Sequence, residues 1–319
     1  MSAPSLPPPL PPNIAKLTAP LIIGELLGTY LFGILTVQFY LYHLTFPRDP
    51  KYIKYLVYSV FILDLASTVM CFADAYHWFA SGYGNIAALN DIWLSAFDTP
   101  MIGAFLAAIV QCFYSYRLWT LSKYTLPICI VIFMIAIAQV IAGIYGAVLG
   151  HIAVTFAAAG PKVLRAAYVV NIGAAVADVL IAVSMTILLT RSRTRAHQQT
   201  EFIIRRIINL TVETNLLSSA LAILTVVLLV GVPGTNYFTA PSIMLGKIYS
   251  NSLLLMLNNR KFISHTVAST TAGSGSAGNT LMLKFRSRNV DSTNQVSTFQ
   301  ARSGSVGTST MASKREELI

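Results

Sequence analysis

Apolar residues fill this chain in seven runs, near 18–43, 55–76, 99–120, 126–149, 166–190, 206–231 and 238–258, with short polar connections between them. A helix rises about 1.5 Å per residue, so roughly 20 apolar residues cross a ~30 Å hydrocarbon layer. Each run is long enough. The pattern predicts an all-α fold, a seven-helix transmembrane bundle over 17–260. A Pro-rich segment, 1–16, precedes it, and a Ser/Thr-rich tail, 261–319, follows and is expected to be disordered. A six-span topology is the alternative.

Charge orients the bundle. Cytoplasmic loops are rich in Lys and Arg. Alternate connections hold Arg48, Lys51 and Lys54, then Arg117 and Lys123, then Arg191, Arg193, Arg195, Arg205 and Arg206, whereas the intervening ones hold only Lys162 and Arg165. The N-terminus is therefore expected outside and the tail in the cytoplasm. The first residues lack a basic segment leading into a short apolar core and cleavage site, so the first span is expected to act as the insertion signal.

Composition agrees. With 55% hydrophobic and 11% charged residues and a mean hydropathy of +0.64, a water-soluble fold of this length could not hide its apolar surface. The net charge of +10 is explained by loop placement and does not call for a nucleic-acid partner. The lipid bilayer is the expected partner and the plasma membrane the expected location. Cys71, Cys112 and Cys129 all fall inside spans, so no disulfide between loops is expected.

Ionisable residues at membrane depth carry the chemical interest. Asp64, Asp178, Glu213 and Lys247 fall near the middle of their spans, and Glu25 lies in the outer half of the first. Such groups cost about 2.5–3.5 kcal/mol each when central and lipid-exposed, so they should face the interior and find partners. Four acids face one base. Glu213 is the expected partner of Lys247, because spans six and seven are sequence neighbours, and Asp178 is the second choice; the remaining acids would be protonated, hydrated or bound to a cation. A register-holding polar network, supported by Asn171, Asn209, Asn215, Asn251 and Gln139, is one reading of this belt. A ligand-sensing pocket and a proton or cation pathway are the others.

The connection between spans two and three contains Asp74, His77, Trp78, Asp91, Trp93 and Asp98 and no Lys or Arg. It reads either as an interfacial aromatic belt or as a mouth over the bundle, where aromatic surface and acids would receive a small-molecule ligand. Two histidines, His77 and His151, without a third fixed ligand do not make a metal site. A retinal-type Schiff base at Lys247 fits poorly, since 206–231 contains no aromatic residue. No HExxH, GxSxG or GxxxxGK[ST] sequence occurs, so no catalytic residue, no cofactor and no enzymatic activity is expected.

Five segments carry a resemblance: "LPPNIAKLTAPLIIGELLGTYLFGILTVQFYLYHLTFPRDP", "DAYHWFASGYGNIAALNDIWLSAFDTP", "VQCFYSYRLWTLS", "NLTVETNLLSSALAI" and "LGKIYSNSLLLMLNNR". Over residues 13–261 the chain resembles the fungal, chiefly mushroom-type, seven-transmembrane proteins catalogued as a domain of unknown function. The resemblance implies a multi-pass membrane protein without an assigned activity and brings no established site residues. Likeness to rhodopsin-type receptors is architectural only. Receptor-like sensing of a small molecule, with loop 191–206 and the tail as docking surfaces for a cytoplasmic partner, is the leading functional expectation. A proton- or cation-coupled transporter and a structural membrane protein are the alternatives.

Overall fold

The computed structural model describes residues 14–85, 87–155, 158–193, 198–232 and 235–272; side chains of 189, 191–209 and 261–272 fall outside the description. The chain divides into two units, Met1–Ser274 and Gly275–Ile319, and the second lies entirely outside the described residues, as do 1–13 of the predicted N-terminal segment and 273–319 of the predicted tail; the backbone of 261–272, assigned to the tail from sequence, continues the last helix. Seven long helices follow one another: α1 Ile14–Thr45, α2 Lys51–Tyr76, α3 Gly103–Leu121, α4 Leu126–Ala153, α5 Pro161–Arg193, α6 Gln198–Gly231 and α7 Thr239–Ala272. Helices run past the apolar stretches because helical hydrogen bonding continues into the polar flanks.

Local sequence sets several ends. Pro47 and Pro50 bracket the α1–α2 connection, where the missing N–H and restricted preceding residue stop one helix and start the next. Pro127 sits in the first turn of α4, where its missing donor costs nothing. α2 continues through a π-helical turn, His77–Ser81, and α3 begins through another, Phe97–Ile102.

Among the described residues, six helices are long and apolar enough to cross a membrane, including Ile14–Thr45, Lys51–Ser81 and Lys123–Ala153. α7 is not among them, in contrast to the expectation of seven comparable spans. The reason is its position. α7 packs along α1 and α6 and also meets α2 and α3, and most of its described residues are buried, so its surroundings are protein and tolerate polar side chains. Two glycines let it approach α1: a Cβ added at Gly28 would lie 2.9 Å from Ile243 Cγ2, and one at Gly24 3.0 Å from Ala240 Cα. Asn251 Nδ2 donates to Leu31 O at 3.0 Å and Asn258 Nδ2 to Gln38 O at 2.9 Å, which fixes the α1–α7 register.

The apolar core joins Leu35, Val57, Val60, Leu106, Val110, Leu253 and Leu254 to Ile132, Ile181 and Met185. Opposite it, α4 exposes Ile130, Val131, Phe133, Met134 and Ile141, the outward apolar surface that a lipid solvent favours. The end of the bundle carrying the 77–102 connection is called upper below. The end carrying the α1–α2, α3–α4 and α5–α6 connections is called lower.

Candidate functional site

One face of α2 organises the site. Its buried residues are Ile53, Val57, Val60, Asp64, Ser67, Thr68, Cys71 and Asp74, a single stripe at three- and four-residue spacing. The lower part of the stripe is apolar and the upper part polar. From Asp64 to Asp74 the polar part runs about 15 Å along the helix axis.

At the foot of the polar part lies an ion pair. Lys247 on α7 and Asp64 are 1% and 0% exposed, with Nζ 3.4 Å from Asp64 Oδ2. The ammonium also donates to Thr68 Oγ1 at 2.6 Å and to Asp64 O at 3.0 Å. Thr68 Oγ1 donates to Asp64 O at 2.8 Å, and Ser250 donates to Asp64 Oδ1 at 3.1 Å. These bonds offset part of the cost of burying the pair, while Asp64 Oδ2 has the ammonium beside it and no hydrogen bond.

The expected Glu213 partner is corrected by this geometry. Thr211, Asn215, Ser218, Ser219 and Ala222 form the buried face of α6, and Glu213, two residues from both Thr211 and Asn215, is exposed. Two residues of helix turn a side chain by about 200°, so Glu213 points away from the belt. Adjacency in sequence does not decide which face meets a neighbour.

Asp178 lies on the other side of α7. Its Oδ2 accepts from Tyr249 Oη at 2.8 Å and from Ser218 Oγ. Gln111 of α3 lies against the same carboxyl, and Gln139 Nε2 of α4 donates to Gln111 Oε1 at 3.0 Å. Asp178 thus ties α5, α6 and α7 together by hydrogen bonds, with the Gln111–Gln139 pair of α3 and α4 beside it. Of the expected supporting amides, Gln139 and Asn251 bridge helices, Asn171 and Asn215 bond carbonyls of their own helices, and the Asn209 side chain is outside the described set.

At the upper end, two carboxyls, Asp98 and Glu25, flank the Cys71 thiol, and a third, Asp74, lies near both acids. Cys71 Sγ donates to Asp98 Oδ2 at 2.9 Å, and Thr99 Oγ1 donates to Asp98 Oδ1 at 2.8 Å. Glu25 of α1 neighbours both Cys71 and Asp98. Asp74 Oδ1 accepts from the backbone N–H of Leu94 at 2.9 Å. Glu25, Asp74 and Asp98 are 8%, 0% and 3% exposed. Glu25 Oε1 and Asp74 Oδ2 have no hydrogen-bond partner, and among the described residues none of the three acids has a Lys, Arg or His within ion-pair distance.

The 77–102 connection closes over these groups. Trp78 is buried against Leu21 and Leu89, and its Nε1 donates to Asp91 O at 3.2 Å. His77 Nε2 lies 3.3 Å from Asp91 Oδ2, and its ring packs on Trp93 at 5.0 Å between centroids. Ile92 N–H donates to Val154 O at 2.7 Å beside an Asp91–Thr155 bridge, so the connection is pinned to the end of α4. Val154 has φ 67° and ψ −41°, and Thr155 N–H reaches back to Ala153 O at 2.8 Å. That is a classic-type γ-turn, a strained conformation for a β-branched residue.

Among the mouth residues expected from sequence, Asp74, Asp98 and Trp78 are interior, His77 and Asp91 form a half-exposed latch, and Trp93 lies outside at 45% exposure. Sequence reasoning missed Thr68, Cys71, Ser250, Ser218 and Tyr249. The 64, 67/68, 71, 74 spacing on α2 was the available signal. No group of three or more His, Cys, Asp or Glu suited to a metal occurs among the described residues.

A profile described as a family of unknown function (DUF6534) matches residues 174–262, the stretch from mid-α5 into α7 that contains Asp178, Ser218, Lys247, Tyr249 and Ser250. Neither the curated proteins nor the solved structures contain a match. The chain is thus an all-helical, membrane-type protein similar over that stretch to a family whose function is unassigned.

Proposed function

We propose that this is a seven-span, receptor-like sensor of the plasma membrane, upper end outside, whose stimulus is positive charge entering the Glu25–Cys71–Asp74–Asp98 chamber as protons or a small organic cation. It rests on the excess of basic residues in the lower connections for orientation, and it retains the fungal seven-transmembrane affinity read from sequence. One observation carries the stimulus: Glu25 Oε1 and Asp74 Oδ2 are buried without partners in a site holding three carboxyls. Unpaired carboxylates out of water are costly enough that positive charge accompanies them. The nearest lysine, Lys247, is already committed to Asp64.

The groups facing this chamber are Glu25 from α1, Cys71 and Asp74 from α2, Asp98 from the turn before α3, and Lys247 from α7, with the His77–Asp91 latch above. Below Asp64 the α2 stripe turns to Val60, Val57 and Ile53, packed in an apolar layer with Leu35, Val110 and Leu254. A polar chamber over a dry layer suits sensing, in which helices move and no solute crosses. Loop 191–206 and the tail serve in this reading as the cytoplasmic partner surface, and no catalytic role is assigned. Proton-coupled transport is the second reading. The Asp178–Tyr249–Ser218 contacts favour it, because they extend polarity beyond α7.

The test uses full-length protein oriented in liposomes, with a fluorophore on Tyr124→Cys at the lower end and a pH dye in the lumen. Acidifying the upper side, or adding small organic cations there, should change the lower fluorophore without net proton flux. Glu25→Gln and Asp98→Asn should shift the response. Flux abolished by Asp64→Asn would establish transport instead, and silence in both channels would overturn the sensor.

A further inference from the structure

At the lower end the helices part. A cleft of about 270 Å³ opens between α2, α3, α6 and α7, with Arg117, Arg260, Tyr52, Thr120, Asn259 and Met256 on its walls. That is close to the lower end of the ~300–1,000 Å³ typical of small-ligand sites. Its charge is unbalanced. Arg260 is neutralised, since its Nη2 meets Asp49 Oδ2 at 2.5 Å, its Nε donates to Leu257 O, and its guanidinium lies over the Phe46 ring. Tyr42 holds the same Asp49 oxygen at 3.0 Å. Arg117 has no such partner. Its Nη1 donates to the thioether of Met256 at 3.1 Å, and no carboxylate lies within ion-pair distance among the described residues. A thioether is a weak acceptor, and a guanidinium presents five donors in a fork that fits phosphate oxygens.

The depth of the cleft selects the source of the anion. Around it, the lower ends of the first three helices expose Tyr40, Tyr52, Tyr55, Tyr116 and Trp119, and Lys123 Nζ lies 3.6 Å over the Trp119 ring. Exposed Tyr and Trp collect at the headgroup level of a bilayer, and basic residues there attract anionic lipid. The cleft is therefore at the level of lipid phosphates, between helices whose outward faces are apolar.

We propose that the Arg117 cleft binds the phosphate-bearing headgroup of an anionic lipid from the lower leaflet. Arg117 grips the phosphate by its fork, and Thr120, Asn259 and Tyr52 supply neutral hydrogen bonds. The site is independent of the sensor reading and requires only that the bundle lies in a bilayer.

The experiment is native mass spectrometry of the full chain released from phosphatidylcholine nanodiscs doped with phosphatidic acid. Wild type should retain phosphatidic acid in preference to phosphatidylcholine. Arg117→Gln should weaken retention about tenfold or more, the effect of losing a charge-assisted bidentate contact. Arg117→Lys, which keeps the charge and is the milder change for folding, should fall between. Lys123→Gln, which removes a nearby surface charge outside the cleft, should weaken retention far less than Arg117→Gln. Equal loss in Lys123→Gln would reduce the effect to diffuse surface charge and overturn the site. Equal retention in wild type and both Arg117 variants would overturn it as well. Displacement by inorganic phosphate at matched concentration would assign the cleft to free phosphate and overturn the lipid.

Discussion

Replacing Lys247 by Met isolates what the central ion pair contributes. Methionine keeps the length and apolar stem of lysine and removes only the ammonium, so packing around Phe32 and the α2 stripe is conserved. The loss is a 2.6 Å bond to Thr68, a 3.0 Å bond to Asp64 O and the 3.4 Å pairing with Asp64 Oδ2. Asp64, 0% exposed, keeps Ser250 alone. Removing one partner of a buried pair costs about 3–5 kcal/mol, mostly because the other charge is stranded. Membrane-buried neutral hydrogen bonds average only about 0.6 kcal/mol, so a loss of that size would signal an ordinary polar contact. The double variant Lys247→Met, Asp64→Leu removes the stranded charge and should recover about 2 kcal/mol or more of the deficit. Cys71 and Cys129 are buried and so suit a thiol-reactive dye that reports thermal unfolding in detergent. The reasoning fails if Lys247→Met melts within about 1 kcal/mol of wild type, or if the double variant is no better than the single.

Two further outcomes are expected. Glu213→Gln should leave the thiol-dye melting curve within about 0.5 kcal/mol of wild type or slightly stabilise it, because the side chain lies on the exposed face of α6; a loss comparable to that of Lys247→Met would restore Glu213 to the belt. Val154→Gly should raise the melting temperature by about 1 kcal/mol equivalent, since glycine accepts a φ of 67° without strain and the valine side chain is 60% exposed; a lower melting temperature would show that Val154 contributes by packing.

The long helices were legible because lipid imposes a simple code, in which about 20 apolar residues mark a helix able to cross. The site was legible in part. Asp64, Asp178, Lys247 and Glu25 are interior, as an unfavourable exposed charge requires. Glu213 was misplaced because the argument used sequence adjacency of two spans, whereas burial follows helical phase, and 211, 215, 218 and 222 set that phase. Cys71 entered the sequence reading only as a cysteine inside a span that forms no loop disulfide, yet its place one turn below Asp74 and two turns above Asp64 puts its thiol on the polar stripe against Asp98.

Residue order alone determined that this chain builds long apolar helices, that most of its charges at membrane depth, Glu213 excepted, turn inward, and which ends of the helices carry the basic residues. Those are one-dimensional consequences of the cost of polar groups in hydrocarbon. Tertiary structure decided that α7 is the interior helix, that Lys247 pairs with Asp64 across 183 residues, and that three carboxyls from α1, α2 and the turn before α3 are buried near one another at the upper end. Those choices depend on which helix faces meet, and crossing geometry and close glycine contacts set them where no pairwise spacing in the sequence records it.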